Sequence, residues 1–298
     1  MNSRLQIGFI GFGEAGSSIA AGLRSAGVET INAFDINSES DTLGPRIRKR
    51  AHDTQTRLLS SPEELARGSD ILISAVTASS ALEAAEQTLA FLEPRHLYMD
   101  INSISPNLKR EIDTRIRATG AGFVEAAVMA PVPPYGHRVP MLLGGVAAHQ
   151  LVERLSPFGM RFEIVSEDVG KAIAVKMCRS IVVKGLEALL FECVMTATRY
   201  GAEDRVLASL QESYPGIDWK KLVDYVVGRV VVHGERRARE MEEVAETLRS
   251  TGVDPIMAEA AARFQDWSAR ANLKSHFGPE GPKTFSEVLP FITYKTNG

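Results

Sequence analysis

The stretch that decides the fold runs from Leu5 to Gly27 and reads LQIGFIGFGEAGSSIAAGLRSAG. Its first residues, IGFI, are apolar and partly β-branched or aromatic, which predicts a short strand buried on both faces. A glycine turn at residues 11–16 follows at once and fits the pattern G-x-G-x-x-G. Apolar residues then recur at helical spacing until Gly27 supplies a stop signal. The segment therefore predicts a strand, a tight turn and a helix in immediate succession.

Each glycine of this turn has its own task in a dinucleotide site. Gly11 permits the tight turn, Gly13 lets the backbone approach a pyrophosphate, and Gly16 brings the helix close to the strand. The N-terminus of the helix then offers free N–H groups and the positive end of its dipole to the phosphates. The residues of the turn predicted to bind a cofactor are Gly11, Phe12, Gly13, Glu14, Ala15 and Gly16.

Asp35 supports this interpretation because it lies nineteen residues after Gly16, at the end of a second strand-like run, residues 28–34. A carboxylate at this place accepts hydrogen bonds from the ribose hydroxyls and repels a 2′-phosphate, which favours NAD. The basic cluster at residues 46–50 could instead bind that phosphate and favour NADP, or form an ordinary solvated face. The sequence predicts NAD or NADP as the cofactor, with NAD slightly favoured.

The composition is typical of a soluble globular protein with room for two domains: 298 residues, of which 44% are hydrophobic and 24% charged. A formal net charge of −3 gives no general attraction to nucleic acid or to an anionic membrane. No apolar run is as long as a membrane span, and the glycine turn interrupts the first apolar segment, unlike in a signal peptide. We expect a cytoplasmic protein without nucleic-acid or membrane partners, and we predict no metal site.

Strand-like and helix-like segments alternate along the first half of the chain, which predicts a parallel sheet with helices on both faces. From Val169 onward the pattern is helical, beginning with one long helix over residues 169–200. We predict an α/β Rossmann-type dinucleotide-binding domain over residues 1–167, followed by an all-α C-terminal domain over residues 168–298. The strands are predicted at 70–76, 96–101, 123–128, 139–145 and 161–165, and the helices between them at 62–66, 79–92, 105–120 and 147–156.

Polar residues follow two of these strands directly. Val76 and Thr77 end one strand, and Asn102 and Ser103 come after the next. Because ligands of a parallel sheet bind at the carboxyl ends of its strands, we expect these four residues at the ligand-binding edge.

Several of these stretches resemble the β-hydroxyacid dehydrogenases, the family of the 3-hydroxyisobutyrate and 6-phosphogluconate dehydrogenases. GFIGFGEAG is similar to the family's G-F-I-G-x-G-x-M-G opening, and DINSISP at residues 100–106 is similar to its D-x-S-T-x-S-P segment. GKAIAVKMC at residues 170–178 resembles the segment that carries the catalytic lysine. The resemblance implies that Lys176 is the acid/base and that Ser103 and Asn102 orient the reacting group. It also implies that Arg239 occupies the place of a family lysine near the nicotinamide.

The departures from the family pattern concern the substrate. The S-G-G substrate loop is replaced by Met129-Ala130-Pro131, and the asparagine three residues after the lysine is replaced by Arg179. The decarboxylating 6-phosphogluconate enzymes have a glutamate where this chain has Val183, so we do not expect that reaction. The sequence resembles a divergent branch of the family with its own C-terminal helical domain.

Lys176 and Arg179 fall on one face of the long helix, which would look into the cleft between the two domains. A lysine can act as both base and acid when a dry cleft and a cationic neighbour lower its pKa, and Arg179 is such a neighbour. Arg179 could also bind a substrate carboxylate through both of its nitrogens. The resemblance thus implies hydride transfer between a nicotinamide and a small β-hydroxy acid or similar polyol acid.

Three further expectations concern the C-terminal part and the alternatives. His233, Arg236 and Arg237 could form an anion site, although a solvated helix face explains the same residues and is favoured. The long helix over residues 169–200 and the apolar stripe near Trp267 exceed what a small helical domain needs for its own core, which predicts a homodimer with the C-terminal helices at the interface. The alternatives are an imine reductase on the same fold and a non-catalytic dinucleotide-binding protein; relatives of both kinds lack the lysine.

Overall fold

Eight strands form one sheet in this protein, whose computed structural model describes residues 5–278 and 280–292. The strands lie in the order β3-β2-β1-β4-β5-β6-β7-β8, so the chain changes direction across the sheet between β1 and β4. Such a switch point is where α/β sheets bind their ligands. The strands are β1 (Gln6–Ile10), β2 (Thr30–Phe34), β3 (Arg57–Leu58), β4 (Ile71–Ser74), β5 (Leu97–Asp100), β6 (Gly122–Val128), β7 (Pro140–Gly144) and β8 (Arg161–Ser166).

The helices between the strands cover both faces of the sheet. As a result, β1 contributes side chains to two separate hydrophobic clusters. Ile7 and Phe9 pack in one cluster with α1 residues, whereas Ile10 packs in the other. This confirms the prediction of a strand that is buried on both faces. The helices of this part are α1 (Glu14–Ser25), α2 (Gly44–Asp53), α3 (Pro62–Arg67), α4 (Ala81–Glu86), α5 (Pro106–Arg117) and α6 (Ala148–Leu155).

The sheet is mostly parallel, as predicted for a Rossmann-type domain, but β7 runs antiparallel to β6. The prediction of a parallel sheet is therefore confirmed for the other strand pairs and wrong for β6 and β7. A parallel connection needs a crossover of about a dozen residues, usually with a helix. Residues 129–139 contain three prolines, and proline removes helical hydrogen bonds, so β7 returns alongside β6 in the opposite direction.

The predicted helix over residues 79–92 is interrupted in the structure. A 3₁₀ turn (Ala78–Ser80) leads into α4, and a second 3₁₀ turn (Leu89–Phe91) follows it. The hydroxyl of Thr88 donates to the carbonyl of Ala85 at 2.7 Å, and such side-chain bonds compete with the helical backbone. The predicted helical segment is therefore present at these residues, but it is not one continuous α-helix.

The chain divides into two compact units between Lys176 and Met177, and the described elements of the second unit are all helical. The helix after α9 (Trp219–Ser250) begins only at Ile256, because Pro255 disfavours helical backbone in the residue before it. No described helix is both long enough and apolar enough to span a membrane. The α-helices of this part are α7 (Lys171–Arg199), which extends across the division, α8 (Glu203–Ser213), α9 (Trp219–Ser250), α10 (Ile256–Arg270) and α11 (Phe285–Val288).

Candidate functional site

The glycine turn after β1 has the geometry that its sequence pattern requires. Gly11 has a φ of +84°, and a Cβ there would lie 2.7 Å from the carbonyl oxygen of Ala75. A Cβ on Gly16 would lie 2.9 Å from the carbonyl oxygen of Gly11, so α1 can approach β1 only through a glycine. A Cβ on Gly13, in contrast, would have no neighbour within 4 Å. The open face of Gly13, at the start of α1, leaves room for a phosphate group beside the first free N–H groups of the helix.

Asp35 is buried and bonded to the glycine turn. Its Oδ2 accepts a hydrogen bond from the backbone N–H of Phe12 at 2.7 Å, and its Oδ1 accepts one from the N–H of Asn37 at 2.9 Å. The carboxylate is thereby fixed at the end of β2, where each oxygen keeps a lone pair for a further donor. The side chain of Phe12 points away into the core and packs against Phe9.

A pocket of about 360 Å³ opens at the carboxyl ends of β1 and β4, within the first unit. Predicted residues line it together with residues that the sequence analysis missed, among them Ser80, Glu83, Ala84 and Gln87. These four follow the spacing i, i+3, i+4, i+7, so a helical-face search after β4 could have found them. The predicted residues in the lining are Gly11, Gly13, Glu14, Ala15, Asp35, Val76 and Thr77.

Asn102 supports the rim of this pocket from the neighbouring strand. Its Oδ1 accepts from the backbone N–H of Val76 at 2.8 Å, and its Nδ2 donates to Oγ of Ser74 at 2.9 Å. Asn102 is buried and does not line the pocket itself, so it holds the end of β4 in place. Ser103, the next residue, is half-buried.

The basic cluster of residues 46–50 separates into two parts. Lys49 pairs with Asp53 at 2.6 Å, and a nitrogen of Arg48 donates to the carbonyl of Ser38. Arg50 is different: burial and the charge of Arg46 lower its pKa, while the carboxylates of Glu14 and Asp35 counteract this. Arg50 therefore lies within electrostatic reach of Glu14 and Asp35, which line the pocket, and Arg46 acts on Arg50.

Three buried charged residues lie beneath the carboxyl edge of the sheet, and the sequence analysis did not single them out as a group. Nζ of Lys109 is 3.0 Å from Oδ1 of Asp100 and also donates to the carbonyl of Asp100 at 2.8 Å. The charge of Lys109 also acts on Glu125, which is completely buried on β6. Asp100 and Glu125 were recognisable as charged residues inside apolar strands, but Lys109 lies on α5, so the sequence did not show that the three come together.

Glu125 holds the first turn of α7. Its Oε1 accepts hydrogen bonds from the backbone N–H groups of Gly170 at 2.7 Å and Ala172 at 3.0 Å. Burial raises the pKa of Glu125, and these N–H groups and Lys109 oppose that shift. Lys176 is the sixth residue of α7 and is half-buried, so a buried carboxylate anchors the helix that carries it.

The remaining predicted residues lie in the second unit, where several carry partners of their own. Arg179 is exposed on α7, and the exposed Arg239 pairs with Glu242 at 2.7 Å. Arg237 is buried, and its Nε donates to Glu187 at 2.8 Å, so it is committed to an internal ion pair. Burial lowers the pKa of Lys184, whose Nζ lies 3.1 Å from both Glu240 and Ser180.

Comparison with known proteins identifies both parts of the chain. Residues 6–135 match the family described as the NAD binding domain of 6-phosphogluconate dehydrogenase, and residues 197–268 match a domain of unknown function, DUF1932. A solved structure of a conserved hypothetical protein from Sinorhizobium meliloti 1021 is 35% identical, with a TM-score of 0.79. That similarity covers 97% of this chain and 96% of the other.

Two curated relatives extend this comparison. An uncharacterized 28.5 kDa protein of Methanothermus fervidus is 32% identical over 85% of this chain and 94% of its own length. The mitochondrial 3-hydroxyisobutyrate dehydrogenase of Drosophila melanogaster is 26% identical over 72% of this chain, which spans 64% of that enzyme's length. The chain belongs to the 3-hydroxyisobutyrate and 6-phosphogluconate dehydrogenase-like family, in a branch with a DUF1932 domain at the C-terminal side. This membership supports a nicotinamide cofactor and a dehydrogenase role.

Proposed function

We propose that this protein is an NAD(P)-dependent dehydrogenase that transfers a hydride between the nicotinamide and a small β-hydroxy acid or similar polyol acid. The observation that carries the proposal is the pocket at the carboxyl ends of β1 and β4, where Gly13 is open and Asp35 is fixed beside it. The retained Lys176 adds the group that this chemistry requires. When bound, the nicotinamide supplies or accepts the hydride.

The residues of the pocket fit the phosphate and ribose parts of a dinucleotide. The turn from Gly11 to Gly16 and the N-terminus of α1 would hold the pyrophosphate through backbone N–H groups. Asp35 would accept hydrogen bonds from the adenosine ribose, which makes NAD the favoured cofactor. Arg46 and Arg50 act against this preference, because a guanidinium near the ribose attracts a 2′-phosphate.

Lys176 would move the proton that accompanies hydride transfer. Oxidation of an alcohol needs a base for the hydroxyl proton, and reduction of the carbonyl needs the same group as an acid. Ser103 would orient the reacting oxygen, while Asn102 keeps the end of β4 in register through Val76. Arg179, which is exposed, would bind the substrate carboxylate through its planar guanidinium.

A substrate screen tests this function. The purified protein is incubated with 3-hydroxyisobutyrate, glycerate and threonate, each with NAD and with NADP, and formation of the reduced cofactor is followed by its absorbance. We expect turnover of at least one hydroxy acid, and none by the Gly13→Val variant. If calorimetry shows dinucleotide binding but no hydroxy acid is oxidised, the activity is wrong, and imines or a non-catalytic role become the better account.

A further inference from the structure

A second and larger pocket lies entirely within the second unit. It has a volume of about 670 Å³ and lies between the first turns of α9 and the segment 280–283. The two elements are in close contact, so a Cβ on Gly281 would collide with the side chain of Val232. The residues that line it are Asp218, Lys220, Lys221, Asp224, Tyr225, Gly228, Arg229, Val232, His233, Glu280, Pro282 and Lys283.

The acidic residues of this pocket are partly engaged by the backbone. Oδ1 of Asp218 accepts from the N–H of Lys221 at 3.0 Å and so caps α9. Oδ1 of Asp224 accepts from the N–H of Phe285 at 2.7 Å. These two carboxylates therefore stabilise the walls of the pocket, and only Glu280 adds a further negative side chain to the lining.

The end of the pocket at His233 is strongly cationic. Burial, together with the charges of Arg236, Arg229, Arg237 and Lys274, lowers the pKa of His233 to about 4. Two of these arginines have carboxylate partners, Arg237 with Glu187 and Arg236 with Glu240. Within the described part of the chain, Arg229 and Lys274 have no such ion pair. The charges of Arg229 and Lys274 thus act on a half-buried, neutral imidazole.

We propose that the His233 end of this pocket binds the phosphoryl or carboxylate group of a small anionic ligand, with Arg229 as its main contact. The guanidinium of Arg229 lies 5.7 Å from the ring centre of Tyr225, a cation–π contact between two residues of the pocket lining. Lys274 supplies a second positive charge, and the imidazole of His233 supplies a hydrogen-bond donor. This site shares no residue with the dinucleotide pocket and does not depend on the proposed function.

Binding of an anion at the His233 end of this pocket would change the protonation of His233. The positive charges that act on His233 are those of Arg229, Arg236, Arg237 and Lys274, and the pocket lining adds the carboxylates of Asp218, Asp224 and Glu280. A bound anion would oppose the field of the positive charges and raise the pKa of His233. Binding would then take up a proton, so the affinity should increase as the pH falls.

Proton NMR of the histidine rings tests this site, with pyrophosphate and citrate as probes. The His233→Gln variant assigns the resonance of His233. We expect either probe or both to shift this resonance and raise the pKa of His233 above 4 toward neutrality. Arg229→Gln should weaken that binding by roughly tenfold or more, because a charge-assisted hydrogen bond is lost. Arg205→Gln, an exposed arginine on α8, is the matched control and should bind like the wild type.

Each outcome of this experiment is informative. A response to pyrophosphate alone indicates a phosphoryl ligand, and a response to citrate alone indicates a carboxylate. The His233 signal reports this pocket only, so a failure of dinucleotide binding at the glycine turn leaves the test intact. A resonance that neither probe shifts, or an affinity that Arg229→Gln leaves unchanged, would overturn the proposal.

Discussion

The backbone N–H of Phe12 donates a 2.7 Å hydrogen bond to Oδ2 of Asp35, and this bond joins the glycine turn to the end of β2. One carboxylate therefore has two functions in this account. It fixes the conformation of the turn, and it lines the pocket, where we propose that it accepts hydrogen bonds from a ribose. A substitution that keeps an oxygen acceptor at residue 35 should preserve the bond to Phe12 and with it the stability of the turn. A substitution that removes the negative charge should change the choice between NAD and NADP.

We expect the wild type to bind NAD more tightly than NADP, and Asp35→Ala to narrow or reverse that ratio. The substitution removes the repulsion of a 2′-phosphate and the acceptors for the ribose, so NAD affinity should fall by roughly tenfold or more. Calorimetry with both cofactors measures the ratio. Arg50→Gln is the complementary variant and should weaken NADP alone. A wild type that prefers NADP would assign the choice to Arg46 and Arg50.

Gly13→Val should abolish dinucleotide binding without damage to the fold. A Cβ at residue 13 meets no neighbour within 4 Å, so the side chain fits the free protein and fills the place of the pyrophosphate. Gly16→Ala is the contrasting variant, because its Cβ would lie 2.9 Å from the carbonyl oxygen of Gly11. We expect it to lower the melting temperature as well as the affinity. Unchanged affinity in a folded Gly13→Val protein would refute the placement.

We further expect a homodimer whose interface includes α7. Val175, Val182 and Leu189 are spaced seven residues apart on this helix and are 47%, 70% and 56% exposed. Residues at this spacing form one stripe, and an exposed apolar stripe on a soluble protein marks an association surface.

Light scattering at micromolar concentration tests this surface. The wild type should have the mass of a dimer and Val182→Lys that of a monomer, because the new charge would be buried at the interface. Val253→Lys, at a residue that is 52% exposed outside α7, should remain dimeric. A monomeric wild type would count against the dimer, and a dimeric Val182→Lys would move the interface elsewhere.

The buried Glu125 should leave a signature in the pH dependence of stability. Burial raises its pKa in the folded state, so the folded protein binds this proton more tightly than the unfolded chain does. The free energy of unfolding that Glu125 contributes is then fully present below the unfolded pKa and is lost as the pH rises through the folded pKa. The difference between wild type and Glu125→Gln should therefore decrease with rising pH.

Chemical denaturation across the acidic and neutral range measures that difference. Glu163→Gln, an exposed glutamate on β8, is the control and should show no comparable trend. A difference that instead grows with pH would mean that Lys109 and the N–H groups of Gly170 and Ala172 hold the carboxylate ionised.

Local sequence patterns were sufficient for much of the fold. The glycine pattern at residues 11–16 requires a particular backbone, and Gly11 has the positive φ that it implies. The start of α3, predicted at residue 62, was equally local, because Ser61 accepts a hydrogen bond from the N–H of Glu64 in the first turn of that helix. A cap needs only its own turn of helix, so its signal lies within a few residues.

Features that depend on distant partners were not predictable in the same way. The direction of β7 follows from the route of the whole chain after β6, and no residue of β7 specifies it by itself. The contacts of Lys109 and Asp100 with one another, and of Glu125 with the first turn of α7, join separate elements of the fold. The buried position of the Asn102 side chain also depends on its hydrogen bond with Val76, which lies twenty-six residues earlier.

The measurement that tests the central claim most directly compares Lys176→Met with Lys171→Met in turnover and in cofactor affinity. Lys171 begins the same helix but is exposed and paired with Asp168, so Lys171→Met should keep the wild-type activity. Lys176→Met should retain nearly the full cofactor affinity while its turnover falls by roughly two to four orders of magnitude, the usual contribution of a general acid–base. Lys176→Arg should not restore it, because a guanidinium keeps its proton at any working pH. A Lys176→Met protein that keeps most of its turnover would contradict the account and transfer the role to Lys184 or His233.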